Sequence, residues 1–488
     1  MRGIAVADNP DGPVGALAST TRILTALANA VGAANVHTGD TLSPDYAHDE
    51  GLGVEPVLPM AVVTPASTSE VASVVRIAYD ASLALTARGS GTGLSGACIA
   101  SPGGVVVSFE RMNRLLDIDE GNAVAVVQPG LTLAMLDEAL APRGLLYPVM
   151  PGESSASLGG NIATNAGGMR AIKHGVTRHH VLGLEAVIGT GETIRTGGRF
   201  VKSSAGYDLT QLIIGSEGTL GLVTEATLKL QPRLGHAATV LAPFTTLRGV
   251  SEAVPQIVAS GIGPAVLEYM DLLTLESTTQ AAGIDLGVPA DVREHALAFL
   301  VVVLESNQPE RLDEDVETLA SLLASLGALD VYVLPSAAGS QLIEARERAF
   351  FVAKAAGADD LVDVVVPRAQ MPDYLERVED LARSDEALVA GCGHAGDGNV
   401  HLSVFQPDSE RRHHLMRAIL ATGLDVGGAI SGEHGLGTAK REYFLDLEDP
   451  IKLTLMRRIK SSFDPKGILN PGKGMAAAMP VPPGGSAR

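Results

Sequence analysis

Residues 87–97 read ARGSGTGLSGA. Gly91, Gly93 and Gly96 have the GxGxxG spacing of a dinucleotide-binding turn, and Glu110 stands about where a ribose-binding acid is expected. That fold needs a helix directly after the last Gly. Only eight residues separate Gly96 from the apolar run at Val105, and Pro102, Gly103 and Gly104 are among them. A crossover helix does not fit. What remains is a strand-to-strand loop whose stripped backbone can offer N–H groups to an anion.

Two further loops share this character. Residues 151–168, PGESSASLGGNIATNAGG, set six hydroxyl or amide side chains among Gly pairs without a hydrophobic period. A long polar loop between regular elements is usually functional. Residues 214–221, IGSEGTLG, lead straight into an apolar run at 222–230. Three loops that each present backbone N–H groups suit one extended anionic ligand, and a nucleotide cofactor fits best.

The elements around these loops define the class. Residues 15–39 read as a helical segment. Ser67 and Glu70 have capping-box spacing before Val71, Val74, Val75 and Ala78, which predicts a helix. A second helix is predicted from Thr132, with Leu133, Leu136 and Leu140 on one face. Strands are predicted at 84–87, 105–109, 124–128, 184–188, 193–196 and 222–230. Strands outnumber helices, so the class is α+β and not strict βαβ alternation. Beyond Pro232 the chain turns more helical and acidic, as at 309–326 and 371–383, and Gly-rich stretches return at 391–401 and 427–437.

Composition narrows the function. The 488 residues hold 36 Lys+Arg against 56 Asp+Glu, a net charge of -20, which opposes nucleic acid and anionic membrane surfaces. Two cysteines, Cys98 and Cys392, supply neither a disulfide framework nor a four-thiolate cluster. The longest apolar run, 296–304, is too short to span a bilayer. A soluble, cytoplasmic protein is expected.

The order of the three loops, with SSAGYDLTQLIIGSEGTLGLVTEATLKL at 203–230, resembles the FAD-binding domain of the vanillyl-alcohol oxidase/para-cresol methylhydroxylase superfamily. Over residues 54–473 the chain is most similar to the branch containing the glycolate oxidase flavin subunit, D-lactate dehydrogenase and D-2-hydroxyglutarate dehydrogenase. The resemblance implies a two-subdomain FAD-binding domain (54–233) after the N-terminal helical segment (1–53). It further implies an α+β cap with an antiparallel sheet (234–425) and a segment returning to the flavin (426–474), while the small-residue, Pro-rich composition after Lys473 predicts a disordered tail (475–488). It assigns Arg88, Gly89, Ser90, Gly91, Thr92 and Gly93 to the pyrophosphate. Gly152, Ser157, Gly159, Gly160, Asn161, Thr164 and Gly167 would line the isoalloxazine and ribityl chain. Glu217, Gly218, Leu220, Gly221 and Val223 would lie near the adenosine end. Relatives that bind flavin covalently often carry a His where Thr92 stands, so non-covalent FAD is expected.

Residues 391–403, GCGHAGDGNVHLS, hold the second signature. Asp397-Gly398 between strand-like flanks predicts a two-residue hairpin turn. Cross-strand partners then pair His394 with His401, with Cβ atoms about 5 Å apart, which suits two ligands of one metal. A third ligand leaves an open catalytic position, and Glu433 in GEHGLG is a candidate. In the resembled dehydrogenases these motifs form a metal site, usually zinc, with His394, His401 and Glu433 as ligands and His434 as a base titrating near neutral pH. Arg346 would clamp the substrate carboxylate, and flavin N5 would take hydride from C2 of a D-2-hydroxy acid to leave the 2-oxo acid.

The pattern breaks at three places. Relatives acting on 2-hydroxyglutarate carry Thr, Lys and Asn where this chain has Phe350, Leu361 and Ser403. A second substrate carboxylate would be buried unpaired there, at several kcal/mol, so a lactate-like or more apolar D-2-hydroxy acid is expected. Electrons would leave to an electron-transfer flavoprotein, a quinone or a partner subunit; a homodimer is compatible. The alternatives are a flavin-dependent transferase of the alkyl-dihydroxyacetone-phosphate synthase type and a non-catalytic flavin subunit of a larger oxidase.

Overall fold

The computed structural model describes residues 13–477 (side chains from 20). The expected disordered tail lies, from 478 on, outside the described residues, as does the start of the N-terminal segment. The chain builds three principal sheets. The first orders Val36–His37, Ala61–Val63, Val105–Ser108 and Leu85–Arg88, the last three mutually parallel. The helix Thr68–Ala81 covers it, N-capped by Ser67, which accepts from Glu70 N at 3.3 Å. Its buried face is Val71, Val74, Val75 and Ala78. Residues 89–104 join two parallel strands with no helix, so the open loop inferred from Pro102 and the two glycines is present.

The second sheet is antiparallel, ordered Leu115–Asp119, Val124–Val127, Leu222–Lys229, Val181–Val187 and Thr193–Gly197. Leu133–Leu140 packs on it, with Thr132 as its cap. The polar stretch 151–168 is not loop throughout. Leu158–Thr164 forms a short helix, with Ser157 accepting from Gly160 N and Asn165 closing the other end at φ +55°. Two glycines and one turn of buried Leu158 and Ile162 leave no hydrophobic period to read, and the caps hold it.

The third sheet has seven antiparallel strands in the order Tyr332–Leu334, His236–Phe244, Ala298–Ser306, Val266–Asp271, Leu388–Gly393, Asn399–Phe405 and Asp360–Val365. Strand alternation sorts its residues onto two faces. Val362, Val364, Val400, Leu402 and Val404 meet the helices Leu247–Ala259, Pro309–Ser325, Met371–Ser384 and Ser409–Asp425 in the largest core. On the other face Met270, Phe299, Val301 and Cys392 meet Leu272–Ala282 and Ser336–Glu347. The chain then returns to the first sheet, where Leu469 bridges Leu85.

Candidate active site

The histidine hairpin exists, but its turn is wider than the sequence suggests. Ala395–Asp397 forms a 3-10 turn, Gly398 sits at φ +76°, and the strands pair Cys392 with His401. A Cβ at Gly398 would meet Val366 O at 2.0 Å, so the loop cannot tighten with a larger residue. The register differs by two residues from the two-residue turn, and two is the side-chain period of a strand. Face is therefore preserved. His394, two beyond Cys392, lies diagonal to His401, and their rings stand 4.9 Å apart.

Glu433 closes the cluster. Its Oε1 is 3.0 Å from His394 Nε2 and 3.3 Å from His401 Nε2. Room for it comes from Gly167, where a Cβ would lie 2.6 Å from Glu433 Oε2. Burial works against the Glu433 charge, but His394 and His401 hold it well below the ordinary carboxylate range. Burial likewise opposes an imidazolium at His394, yet Glu268 and Glu433 raise it to about 10. Glu268, wholly buried, is the residue the sequence does not announce. Its Oε1 accepts a hydrogen bond from His394 Nδ1 at 2.7 Å, and its Oε2 lies 2.7 Å from Arg346 Nη2. A carboxylate on Nδ1 fixes the imidazole and turns Nε2 toward a ligand. The one available signal was a charged residue inside the apolar strand VLEYMD.

Asp363 organises the other side. It accepts from Asn399 Nδ2, Ser431 Oγ and the backbone N–H groups of Glu433 and His434, and lies 3.3 Å from Lys440 Nζ. Asp363, His401 and His434 also form a metal-compatible group by distance. With its oxygens taken by those donors, Asp363 is a scaffold for the Glu433–His434 turn. His434 stacks 4.8 Å from His401. It does not titrate near neutral pH: burial, then His401 and Lys440, push it down to about 3 against the pull of Asp363.

His394 Nε2, His401 Nε2 and a Glu433 oxygen lie within 4.8 Å of one another, and buried His401 Nε2 makes no hydrogen bond. This donor set fits a divalent metal of the zinc type. Arg346 is buried in the last turn of its helix, not on a surface, and its Nε has no hydrogen-bond partner. Burial opposes its charge, but Cys392, Glu268 and Glu433 hold it above its ordinary range.

Two cavities meet at this cluster. One is lined by Arg346, His394, His401, Glu433 and His434, with Phe350, Leu361 and Ser403. The other is lined by the three glycine loops, and both share Thr92, Leu94, Pro151, Glu153, Glu433 and His434. Arg88 through Gly93, Ser157, Gly159, Gly160, Asn161, Thr164, Glu217, Gly218, Gly221 and Val223 all border the second cavity. Buried Asn161 leaves its Nδ2 without a partner there, as a flavin acceptor group would require. Three expected residues sit elsewhere: Gly152 lines the first cavity, Gly167 backs Glu433, and Leu220 is packed away. The Arg88 guanidinium is spent on Asp45 O and His48 O, which leaves anion binding to the loop's N–H groups. The Glu217 carboxylate accepts from Gly437 N, tying the 214–221 loop to the 432–437 turn.

Residues 59–197 match the family model described as FAD binding domain, and residues 234–474 match FAD linked oxidases, C-terminal domain. A D-lactate dehydrogenase of Anaerostipes hadrus is 36% identical over 90% of this chain and 94% of its own. The chain belongs to the FAD-linked oxidases. An FAD-linked oxidoreductase of Mycobacterium tuberculosis (strain H37Rv) is 55% identical to this FAD-linked oxidase, over 91% of the chain and 96% of the relative. The crystal structure of p-cresol methylhydroxylase superposes with a TM-score of 0.76 at 16% identity, covering 94% of this chain and 97% of that one. That likeness shows the fold, an α+β flavin domain followed by a cap with an antiparallel sheet. The protein is an FAD-linked oxidoreductase of the D-lactate/glycolate dehydrogenase family. Among the described residues no helix is long and apolar enough to cross a membrane.

Proposed function

We propose that this oxidoreductase converts a D-2-hydroxy acid to the 2-oxo acid, with FAD and a divalent metal, zinc by its ligand type. The observation that carries the reading is the convergence of His394, His401 and Glu433 beside His434 and Arg346 in the first cavity, with Glu433 and His434 on the wall it shares with the second. FAD held by the glycine loops would accept the C2 hydrogen with its electron pair. A metal on His394, His401 and Glu433 would lower the pKa of the substrate hydroxyl. Arg346, with Nη2 held by Glu268 and Nε unpaired, offers its guanidinium to the carboxylate in the planar geometry that Arg provides. His434 stays neutral at physiological pH and can take the hydroxyl proton. Asp363, whose Oδ2 lies 3.8 Å from His434 Nδ1, offsets part of the burial that opposes the imidazolium so formed.

Phe350 and Leu361 border the cavity where a second carboxylate would need a cation, which favours monocarboxylate substrates. Thr92 at the position of the flavin-linking His supports dissociable FAD, released to the supernatant by acid precipitation. Electrons then pass to a separate acceptor: an electron-transfer flavoprotein, a quinone or a partner subunit. Anaerobic addition of D-lactate is expected to bleach the flavin faster than D-2-hydroxyglutarate does. The reverse order refutes the substrate assignment.

A further inference from the structure

The substrate cavity is far larger than a lactate-sized acid needs. It measures about 450 Å³, and its charged and imidazole groups gather around Arg346 and the histidines. Its floor follows from register. On the face of the third sheet that carries the site, Cys392, His401 and Asp363 form one row of cross-strand partners. Two residues on, Ala390, Ser403 and Leu361 form a second row; two further, Leu388 pairs with Phe405. Four residues of strand span about 13 Å at a rise of about 3.3 Å each. The floor thus grades from imidazole through small and neutral to apolar.

The roof continues the gradient. Arg346 stands over the first row, and the chain then supplies Phe350, Phe351 and Ala353 to the same cavity, faced by Leu273. Leu273, Phe351 and Leu388 are 49%, 39% and 51% exposed, so the apolar end opens to water. Among the described residues, Arg346 is the one Lys or Arg lining the cavity, and the acids lining it beyond Glu433 are Glu153 and Glu347. Lys354, whose Nζ lies 5.8 Å from the Phe350 ring centroid, does not line the cavity and is paired with Glu50 at 2.7 Å. A second anionic group at the far end would thus find no unpaired cation on the lining, whereas a hydrocarbon tail would meet side chains that now face solvent.

We propose that the preferred substrate is a 2-hydroxy acid with an extended apolar tail, laid along the strand from His401 past Ser403 to Phe405. This rests on the 2-hydroxy acid oxidation proposed above and adds the substrate's length and polarity. Each buried methylene is worth about fourfold in binding, so the five extra methylenes of 2-hydroxyoctanoate set a ceiling of about 1000-fold over lactate.

The test compares kcat/KM for D-lactate, D-2-hydroxyoctanoate and D-3-phenyllactate, using the FAD- and metal-replete enzyme and an artificial dye acceptor. At least about 30-fold preference for 2-hydroxyoctanoate over lactate is expected, with phenyllactate between them. The variant Ala390→Phe, which fills the middle row, should lower the octanoate-to-lactate ratio at least tenfold. If that variant folds poorly, titrating the wild-type flavin spectrum with 2-oxooctanoate and pyruvate tests the same point, and tighter binding of 2-oxooctanoate is expected. Equal or better turnover of lactate, with no tighter binding of 2-oxooctanoate, overturns the tail proposal and leaves 2-hydroxy acid oxidation standing. Flavin reduction by none of the three acids overturns both.

Discussion

Replacing Glu268 with Gln isolates one buried charge that serves two partners. Glu268 has no exposed surface and lies 2.7 Å from both His394 Nδ1 and Arg346 Nη2. Gln keeps the shape but offers one acceptor where the carboxylate offers two, so one partner loses its acceptor and Arg346 loses its counter-charge. Removing one member of a buried ion pair costs about 3–5 kcal/mol. His394 can shed its proton in response, so the lower figure applies. For a cooperative unit the size of the cap, about 3 kcal/mol lowers Tm by about 6–12 °C. The loss of the carboxylate behind His394 should weaken metal binding by about 10–100-fold. Metal affinity is read by competition with a chromophoric chelator, Tm by calorimetry, and flavin absorbance monitors the first domain, which should keep its FAD. Wild-type metal affinity and wild-type Tm together in E268Q would refute the role assigned to Glu268.

Three other outcomes follow from the same geometry. Phe350→Thr combined with Leu361→Lys places a hydroxyl and a cation in the cavity wall, and should raise kcat/KM for D-2-hydroxyglutarate relative to D-lactate at least tenfold; an unchanged ratio would show that these positions do not select. Gly167→Ala puts a methyl 2.6 Å from Glu433 Oε2, so the carboxylate must move; metal affinity should fall at least about tenfold with FAD content retained, as checked by elemental analysis and flavin absorbance. Glu347, at the cavity wall, is raised to about 7 by burial and then by Glu344. The folded state therefore resists its ionisation, a penalty absent below the unfolded value near 4.5 that grows as pH rises toward 7. Glu347→Gln should stabilise the protein by about 1–2 kcal/mol at pH 8, discounted for partial exposure, and by nothing at pH 4, measured by chemical denaturation at the two pH values.

The parts legible in the sequence were those set by local rules. Pro102, Gly103 and Gly104 excluded a helix after Gly96, which with the excess of strands over helices separated this fold from a doubly wound one. The caps Ser67 and Thr132 marked two helices. The hairpin brought His394 and His401 together despite a turn of the wrong type, because an even shift in register keeps side chains on one face. What stayed hidden depends on distant partners. Glu268 meets His394 across 126 positions, and Glu217 meets Gly437 across 220. No periodicity records such pairs. The low pKa of His434 was equally invisible, since it arises from burial and from His401 and Lys440 nearby. Arg88 is a further case: the resemblance assigns it to the pyrophosphate, while its guanidinium donates to the carbonyls of Asp45 and His48.

Metal dependence of flavin reduction tests the central claim most directly. The FAD-replete protein is stripped with a chelator, dialysed, and mixed anaerobically with the D-2-hydroxy acid in a stopped-flow instrument, with and without restored zinc. We expect the bleaching rate to fall at least 100-fold on stripping and to recover with zinc, while His394→Ala stays slow whether zinc is present or not. Full-rate bleaching by the stripped enzyme, or by the His394 variant, would contradict the assignment of His394, His401 and Glu433 as the ligands of a catalytic metal.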